Sequence, residues 1–199
     1  MQSLCVYCSS SDAVDAVYFE AARELGSAIA AAGYALIYGG THVGLMGEVA
    51  RAVHAHAPAG KVVGVIPQGI YDRALGYGDA DELIVTRDLR ERKHVMESRA
   101  DGFIALPGGI GTFEEVLEVL TLKQLRMHTK PIVLLNVAGY YDPLITLLEH
   151  AITGRFMKES SRQLWFAAPD VPSAMQYLHS YQPPVIETKW VEAAEAAEA

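Results

Sequence analysis

The sequence predicts an α/β fold: a Rossmann-like parallel sheet with helices on both faces, in a single domain. Three observations predict it. Short apolar runs alternate with longer amphipathic stretches along the chain. Glycine-rich turns stand where a strand-like run gives way to a helical pattern, over residues 39–47 and 107–112. The length of 199 residues, 51% of them hydrophobic, suits one domain with a full core.

The elements follow in order. Residues 4–8 read as the first strand. A helix over 14–32 is stopped by Gly33, since glycine enters the left-handed region without a Cβ penalty. A strand over 34–38 breaks at Gly39-Gly40. A helix over 45–56 and a strand over 61–66 come next. Residues 67–81 have little periodicity and three glycines, which predicts a mobile surface loop. A short strand over 83–86 leads into a helix over 90–99. Then come a strand over 103–106, a helix over 112–126 and a strand over 132–135. Helices over 141–154 and 173–181 flank a last short strand over 164–167. The domain thus takes residues 1–182. The tail, 183–199, reads as a loose or disordered segment, or as a frayed Ala/Glu helix in which Trp190 is the one large apolar ring.

Composition bounds the function. The formal charge is −8, and removing residues 187–199 still leaves −5. An acidic body argues against nucleic acid as a partner, which needs a basic face. No apolar stretch approaches the roughly 18 residues of a membrane span, and the start, Met1-Gln2-Ser3-Leu4, carries no basic segment. The expectation is a cytoplasmic protein with no membrane partner. Cys5 and Cys8 have CxxC spacing, but positions three apart on a strand face opposite ways, so they read as strand residues rather than a redox or zinc pair. The seven histidines form no convincing metal pair, and no metal is expected.

The chemistry concentrates in PGGIGTFEE, residues 107–115. Free N–H groups at a helix start carry the positive end of the helix dipole, and Gly108, Gly109 and Gly111 let an anion approach the backbone. The stretch reads as a phosphate cradle edged by Glu114 and Glu115. A second turn, GGTHVGLMG over 39–47, lies at the same carboxyl edge; alone it reads equally as a tight connection. Neither turn has the dinucleotide G-x-G-x-x-G order, and PGGIGT lacks the P-loop lysine. The ligand expected is therefore a monophosphate. Arg90, Arg92 and Lys93 form a local basic cluster suited to phosphate or ribose oxygens, though such clusters also mark solvated helix starts. Glu114 and Glu115 stand in a first turn, where the dipole favours the ionised form. They suit a general base, or a negative charge beside an oxocarbenium ion; acidic residues also cap helix starts as a matter of course.

From about residue 4 to about residue 181 the motifs CVYCSSS, YGGTHVGLMGEVA, RERKHVM, ALPGGIGTFEE and TLKQLRMHTKPIVLLNVAGYYDPL resemble the Lonely Guy family. Its members are cytokinin riboside 5′-monophosphate phosphoribohydrolases, also known under an older label, possible lysine decarboxylase. The resemblance implies a homodimer without a cofactor. It implies hydrolysis of the N-glycosidic bond of N6-substituted adenosine monophosphates, and of AMP, to free base and ribose 5-phosphate. The family's catalytic Arg matches Arg92 and its catalytic Glu matches Glu115. Lys93 matches a substrate-binding Lys, and Gly108, Gly109, Gly111, Thr112 and Glu114 match the phosphate and ribose turn. Thr121 matches a site-lining Thr, and Gly40, Gly44, Met46 and Gly47 match the first glycine turn. One departure stands out: Ala74 follows Arg73 where many members have a substrate-contacting Glu. The rival reading is a nucleotide-binding or molybdenum-cofactor carrier of the same fold, against which the Arg92 and Glu115 pattern speaks. A decarboxylase would need a Schiff-base lysine in a cofactor pocket, and neither Lys61 nor Lys93 has such surroundings.

Overall fold

The computed structural model describes residues 1–56 and 60–186. The strands are β1 (Ser3–Tyr7), β2 (Ala35–Tyr38), β3 (Val62–Pro67), β4 (Glu82–Thr86), β5 (Gly102–Ala105), β6 (Ile132–Leu135) and β7 (Phe166–Ala168). The helices are α1 (Ala16–Ala31), α2 (Gly44–His56), α3 (Gln68–Tyr71), α4 (Leu89–Arg99), α5 (Ile110–Gln124), α6 (Asp142–Thr153) and α7 (Val171–Ser180). All seven strands pair in parallel, in the order β4-β3-β2-β1-β5-β6-β7.

Strand residues alternate between two apolar layers, which is what a sheet covered on both faces requires. Leu4, Val6 and Cys8 join Leu25 and Ile29 of α1 and Val49 and Val53 of α2. Cys5 and Tyr7 join Met96 of α4 and Val116, Val119 and Leu120 of α5. Helix α7 completes the first layer through Val171 and Leu178, and α6 the second through Leu148 and Ile152. Cys5 and Cys8 are both buried free thiols in opposite layers, as the strand reading predicts. After β1 the chain winds outward through β2, β3 and β4, then returns to place β5 on the other side of β1. That reversal opens a crevice beyond the carboxyl ends of β1 and β5, the position where such sheets bind ligands.

Side-chain caps sharpen two helix starts: Asp88 accepts from the Arg90 and Glu91 N–H groups on α4, and Asp170 from the Ser173 N–H on α7. The last strand begins at Phe166 rather than 164, because residues Glu159–Leu164 wind into a 3-10 turn. The segment expected to be a mobile surface loop, 67–81, carries local structure of its own. It starts with the one-turn helix α3, pairs Gly76 with Thr41 in a β-bridge, and buries Tyr77, whose ring stacks on His54 at 5.9 Å. Of the tail, Ile186 is buried and its carbonyl accepts from Arg126; residues 187–199, Trp190 included, lie outside the described residues. No helix among the described residues is long and apolar enough to cross a membrane.

Two buried tyrosines make a paired test. The Tyr38 hydroxyl has no hydrogen-bond partner among the described residues, whereas Tyr141 donates to the Leu106 carbonyl at 2.7 Å. Tyr38→Phe should therefore be neutral or stabilising by up to about 1 kcal/mol, and Tyr141→Phe destabilising by about 1–2 kcal/mol. Urea midpoints at unchanged m-value decide both.

Candidate active site

A cleft of about 670 Å³ occupies the crevice at the carboxyl edge. Ser9, Ser10 and Ser11 enter from the end of β1. Gly39, Thr41 and Met46 come from the turn after β2, and Ile70, Arg73 and Leu75 from the segment after β3. Gly109, Ile110, Gly111 and Thr112 come from the turn after β5. Arg92 of α4 and Glu115 of α5 reach in from the helix layer.

Arg92 and Glu115 form a buried ion pair, Nη1 to Oε1 at 2.9 Å, with the Glu115 residue 6% exposed. The Arg92 Nε donates to the Val65 carbonyl at 3.1 Å, so the guanidinium is anchored to β3 at its other edge. Glu115 Oε1 is close to the cation but has no donor in hydrogen-bond alignment among the described residues. That leaves acceptor capacity on a buried carboxylate in a cleft. A Cβ at Gly39 would overlap the guanidinium and stand 2.6 Å from Met46 Sδ, so only glycine lets Arg92 pass there.

The two glycine turns are not equivalent. At the start of α2 the Gly44 N–H donates to Asp12 Oδ1 at 2.8 Å and the Leu45 N–H to the Ser9 carbonyl at 3.0 Å. Part of that helix end is thus engaged by a carboxylate and a carbonyl of the same chain. At the start of α5 no side chain caps the helix, whose N-cap is Gly109. The first intrahelical bond is made by the Phe113 N–H, leaving those of Ile110, Gly111 and Thr112 to face a ligand. The GGTHVG turn thus has two of its N–H groups engaged within the chain, whereas those at the PGGIGT turn have no partner among the described residues. Two neighbouring tyrosines brace the cradle. Tyr140 donates to the Gly108 carbonyl at 2.5 Å and Tyr141 to the Leu106 carbonyl, fixing the peptide units on either side of Pro107.

Of the residues the sequence singles out, Met46, Arg92, Gly109, Gly111, Thr112 and Glu115 line the cleft. Gly40, Gly44, Gly47 and Gly108 build the turns beneath it: Gly40 packs on β3, Gly44 against Ser10, Gly47 against His42 and Gly108 against Thr112. Lys93, Glu114 and Thr121 are not part of the lining. Lys93 is bound by Glu114 and Glu118, tying α4 to α5, and the Thr121 hydroxyl donates back to the Leu117 carbonyl at 2.7 Å. The residues that sequence reading passed over are Gly39, Ser9–Ser11, Asp12, Arg73 and the Tyr140-Tyr141 brace. The CVYCSSS and GYYD runs were the available signals, without local spacing to say what they hold.

Burial changes the electrostatics expected of a first-turn glutamate. It pushes the Glu115 carboxyl above the usual range, against the pull of Arg92 and with further upward pressure from Glu114. A helix read from residue 112 puts Glu115 in the first turn, where the dipole predicts the opposite; α5 starts at Ile110 instead, so no acidic residue stands in its first turn and Glu115 lies one turn further in. On the same face of α4, Glu97 is pushed up to about 7 by burial and by Glu118, with Lys93 and Lys130 opposing. No cluster of three or more His, Cys, Asp or Glu side chains suited to a metal occurs among the described residues.

A family model described as possible lysine decarboxylase matches residues 46–178. Cytokinin riboside 5′-monophosphate phosphoribohydrolase LOG2 of Arabidopsis thaliana is 41% identical over 181 residues, covering 90% of this chain and 84% of that protein. The probable cytokinin riboside 5′-monophosphate phosphoribohydrolase LOGL5 of Oryza sativa subsp. japonica is 44% identical, covering 91% and 73%. Among solved structures, the molybdenum cofactor binding protein of Rippkaea orientalis superposes with a TM-score of 0.69 at 22% identity, over 90% of this chain and 97% of that one. The molybdenum cofactor carrier protein of Chlamydomonas reinhardtii gives 0.68 at 24%, over 90% and 97%. At such identities these structures share the fold alone.

Glu97 offers a test of the electrostatics. A carboxyl raised in the folded state contributes stability that is present below its unfolded pKa, near 4.5, and lost as pH rises through about 7. Glu97→Gln should match wild type at pH 4.5 and exceed it by about 1 kcal/mol at pH 8, the linkage value being reduced for partial exposure. Urea denaturation across that range reads the difference.

Proposed function

The chain belongs to the family described as possible lysine decarboxylase, within the part of it formed by the cytokinin riboside 5′-monophosphate phosphoribohydrolases, and on that premise we propose that it hydrolyses the N-glycosidic bond of such nucleotides, and of AMP. The observation that carries the reading is the Arg92–Glu115 pair, buried in the cleft and set back from an uncapped helix start.

In this reading the 5′-phosphate sits on the Ile110, Gly111 and Thr112 N–H groups, with the Thr112 hydroxyl beside it. The ribose lies over α5, so the anomeric carbon faces Glu115. As the C1′–N9 bond lengthens, positive charge grows on the ribose and the carboxylate stabilises it. The same carboxylate orients the attacking water, whose hydroxyl goes to C1′ while its proton balances the departing purine. Arg92 holds Glu115 in place and favours its ionised form. The decarboxylase description has no chemical counterpart here: no lysine lines the cleft, so no side chain there can form a Schiff base. The carrier reading rests on shared fold, and a buried acid–base pair gives it no support.

A homodimer is part of the proposal. Leu117, on α5 and outside the cleft, is an exposed apolar side chain, and a second copy would cover it.

Incubation with AMP and with isopentenyladenosine monophosphate, followed by chromatography of free base, should show release by wild type and a loss of at least about 100-fold in Glu115→Ala. Near-normal turnover in that variant removes Glu115 from the mechanism. Since the carboxylate must be ionised and its pKa is raised, kcat/KM should fall on the acid side with a midpoint above the ordinary value of about 4.3. Light scattering should give twice the 21.6 kDa chain mass, and Leu117→Glu should halve it.

A further inference from the structure

The peptide unit joining Gly108 to Gly109 is held at one edge and free at the other. The Tyr140 hydroxyl donates to the Gly108 carbonyl at 2.5 Å. The Gly109 N–H of the same unit has no acceptor among the described residues. The unit is trans, so its carbonyl and its N–H point in opposite directions. Gly109 lines the cleft, and a Cβ there would meet nothing within 4 Å. By holding the carbonyl, the hydroxyl turns the N–H away from Tyr140. A hydrogen bond accepted at the carbonyl also polarises the amide and strengthens its N–H as a donor.

Tyr140 is itself tightly placed. Its ring meets Tyr18 of α1 edge-on at 5.9 Å and Tyr141 at 5.2 Å, and stacks on Phe113 of α5 at 6.4 Å. The two residues before it, Ala138 (φ 51°) and Gly139 (φ 74°), are both left-handed. An alanine stays in that region where its surroundings impose it. Here Asn136 closes the turn: its Oδ1 accepts from the Tyr141 N–H at 2.6 Å and its Nδ2 donates to Asp142 at 2.7 Å. Tyr141 makes the contrast. Its hydroxyl holds the Leu106 carbonyl, but that peptide unit ends on Pro107, which has no N–H to aim. Of the two tyrosines, Tyr140 alone controls a donor.

We infer that Tyr140 is a positioning residue for recognition of the 5′-monophosphate. Its hydroxyl aims the Gly109 N–H at the phosphate, adding a fourth backbone donor to those of Ile110, Gly111 and Thr112, and so favours phosphorylated over phosphate-free ligands. This rests on the proposed hydrolase reading and goes beyond it, because it assigns part of the phosphate preference to a side chain 32 positions from the carbonyl it holds.

The test is Tyr140→Phe, which removes the hydroxyl and keeps the ring against Tyr18 and Phe113. KM for isopentenyladenosine monophosphate should rise about fivefold to tenfold. The change in kcat should stay below about twofold, since the N–H grips the phosphate equally in the ground and transition states. The inhibition constant of inorganic phosphate should rise by the same factor as KM, and that of free adenine should not move. An unchanged phosphate constant, a loss confined to kcat, or phosphate and adenine weakened together overturns the role of Tyr140 while leaving the hydrolase reading intact. If wild type releases no base from this nucleotide or from AMP, the hydrolase reading fails, and calorimetric titration of both proteins with inorganic phosphate judges Tyr140 alone. Weaker phosphate binding by the variant, at an unchanged near-ultraviolet circular dichroism spectrum, then sustains it. Equal or absent binding, or an altered spectrum, overturns it.

Discussion

A buried charge pair sets the terms for this molecule. Arg92 and Glu115 come from two helices of one layer and meet above the carboxyl edge of the sheet. Neither charge is tolerable there alone: removing one partner of such a pair costs about 3–5 kcal/mol because the other is left buried and uncompensated. Much of the neighbourhood follows from keeping them together. Residue 39 must lack a side chain so that the guanidinium can pass. The carbonyl of Val65 must face it to satisfy the second edge of the fork. Lys93, one residue on, ties α4 to α5 through Glu114 and Glu118 and so holds the two helices in the register the pair needs.

The cleft built around that pair has a direction. Both glycine turns end at helix starts, and both helix dipoles point the same sign of charge at the crevice. Asp12 neutralises one of them from within the chain. The other is left to a ligand, and two tyrosines from a later segment keep its peptide units oriented. An anionic group entering the crevice would meet its free N–H groups at the start of α5.

Much of this was legible in the sequence because it is local. The strand-turn-helix character of 103–120 is visible in an apolar run, three glycines and a helical period, all within a short window. The illegible parts are long-range. Gly39 reads as a strand breaker, yet its purpose is set by an arginine 53 positions later. The GGTHVG turn resembles PGGIGT locally, and nothing local announces that Asp12 and Ser9, far earlier, engage two of its N–H groups. Lys93 matches a ligand contact, and no local signal shows that its side chain is paired with Glu114 and Glu118 of α5. Glu115 looks like a solvated first-turn acid, but α5 begins two residues earlier than the pattern suggests, and packing around the second turn brings the desolvation that raises its pKa. Residues 67–81 lack a period because one turn of helix, a single bridge and one docked tyrosine leave none to detect.

The distance along α5 between its open end and Glu115 acts as a ruler. From Ile110 to Glu115 is five residues, about 7.5 Å of helix rise. A carboxylate in the first turn would lie against the anion itself and repel it. On the proposed reading, Glu115, set back by this length, would stand beside the far side of a ribose ring whose phosphate is held at the helix start. On the proposed reading, which bond breaks is then a matter of measured length. The carbon–nitrogen bond lies within reach of the carboxylate and the phosphorus–oxygen bond does not. Adding or deleting one residue in the first turn of α5 would rotate the acid by about 100° and change its reach by one step of rise. The site would keep its anion and lose its bond.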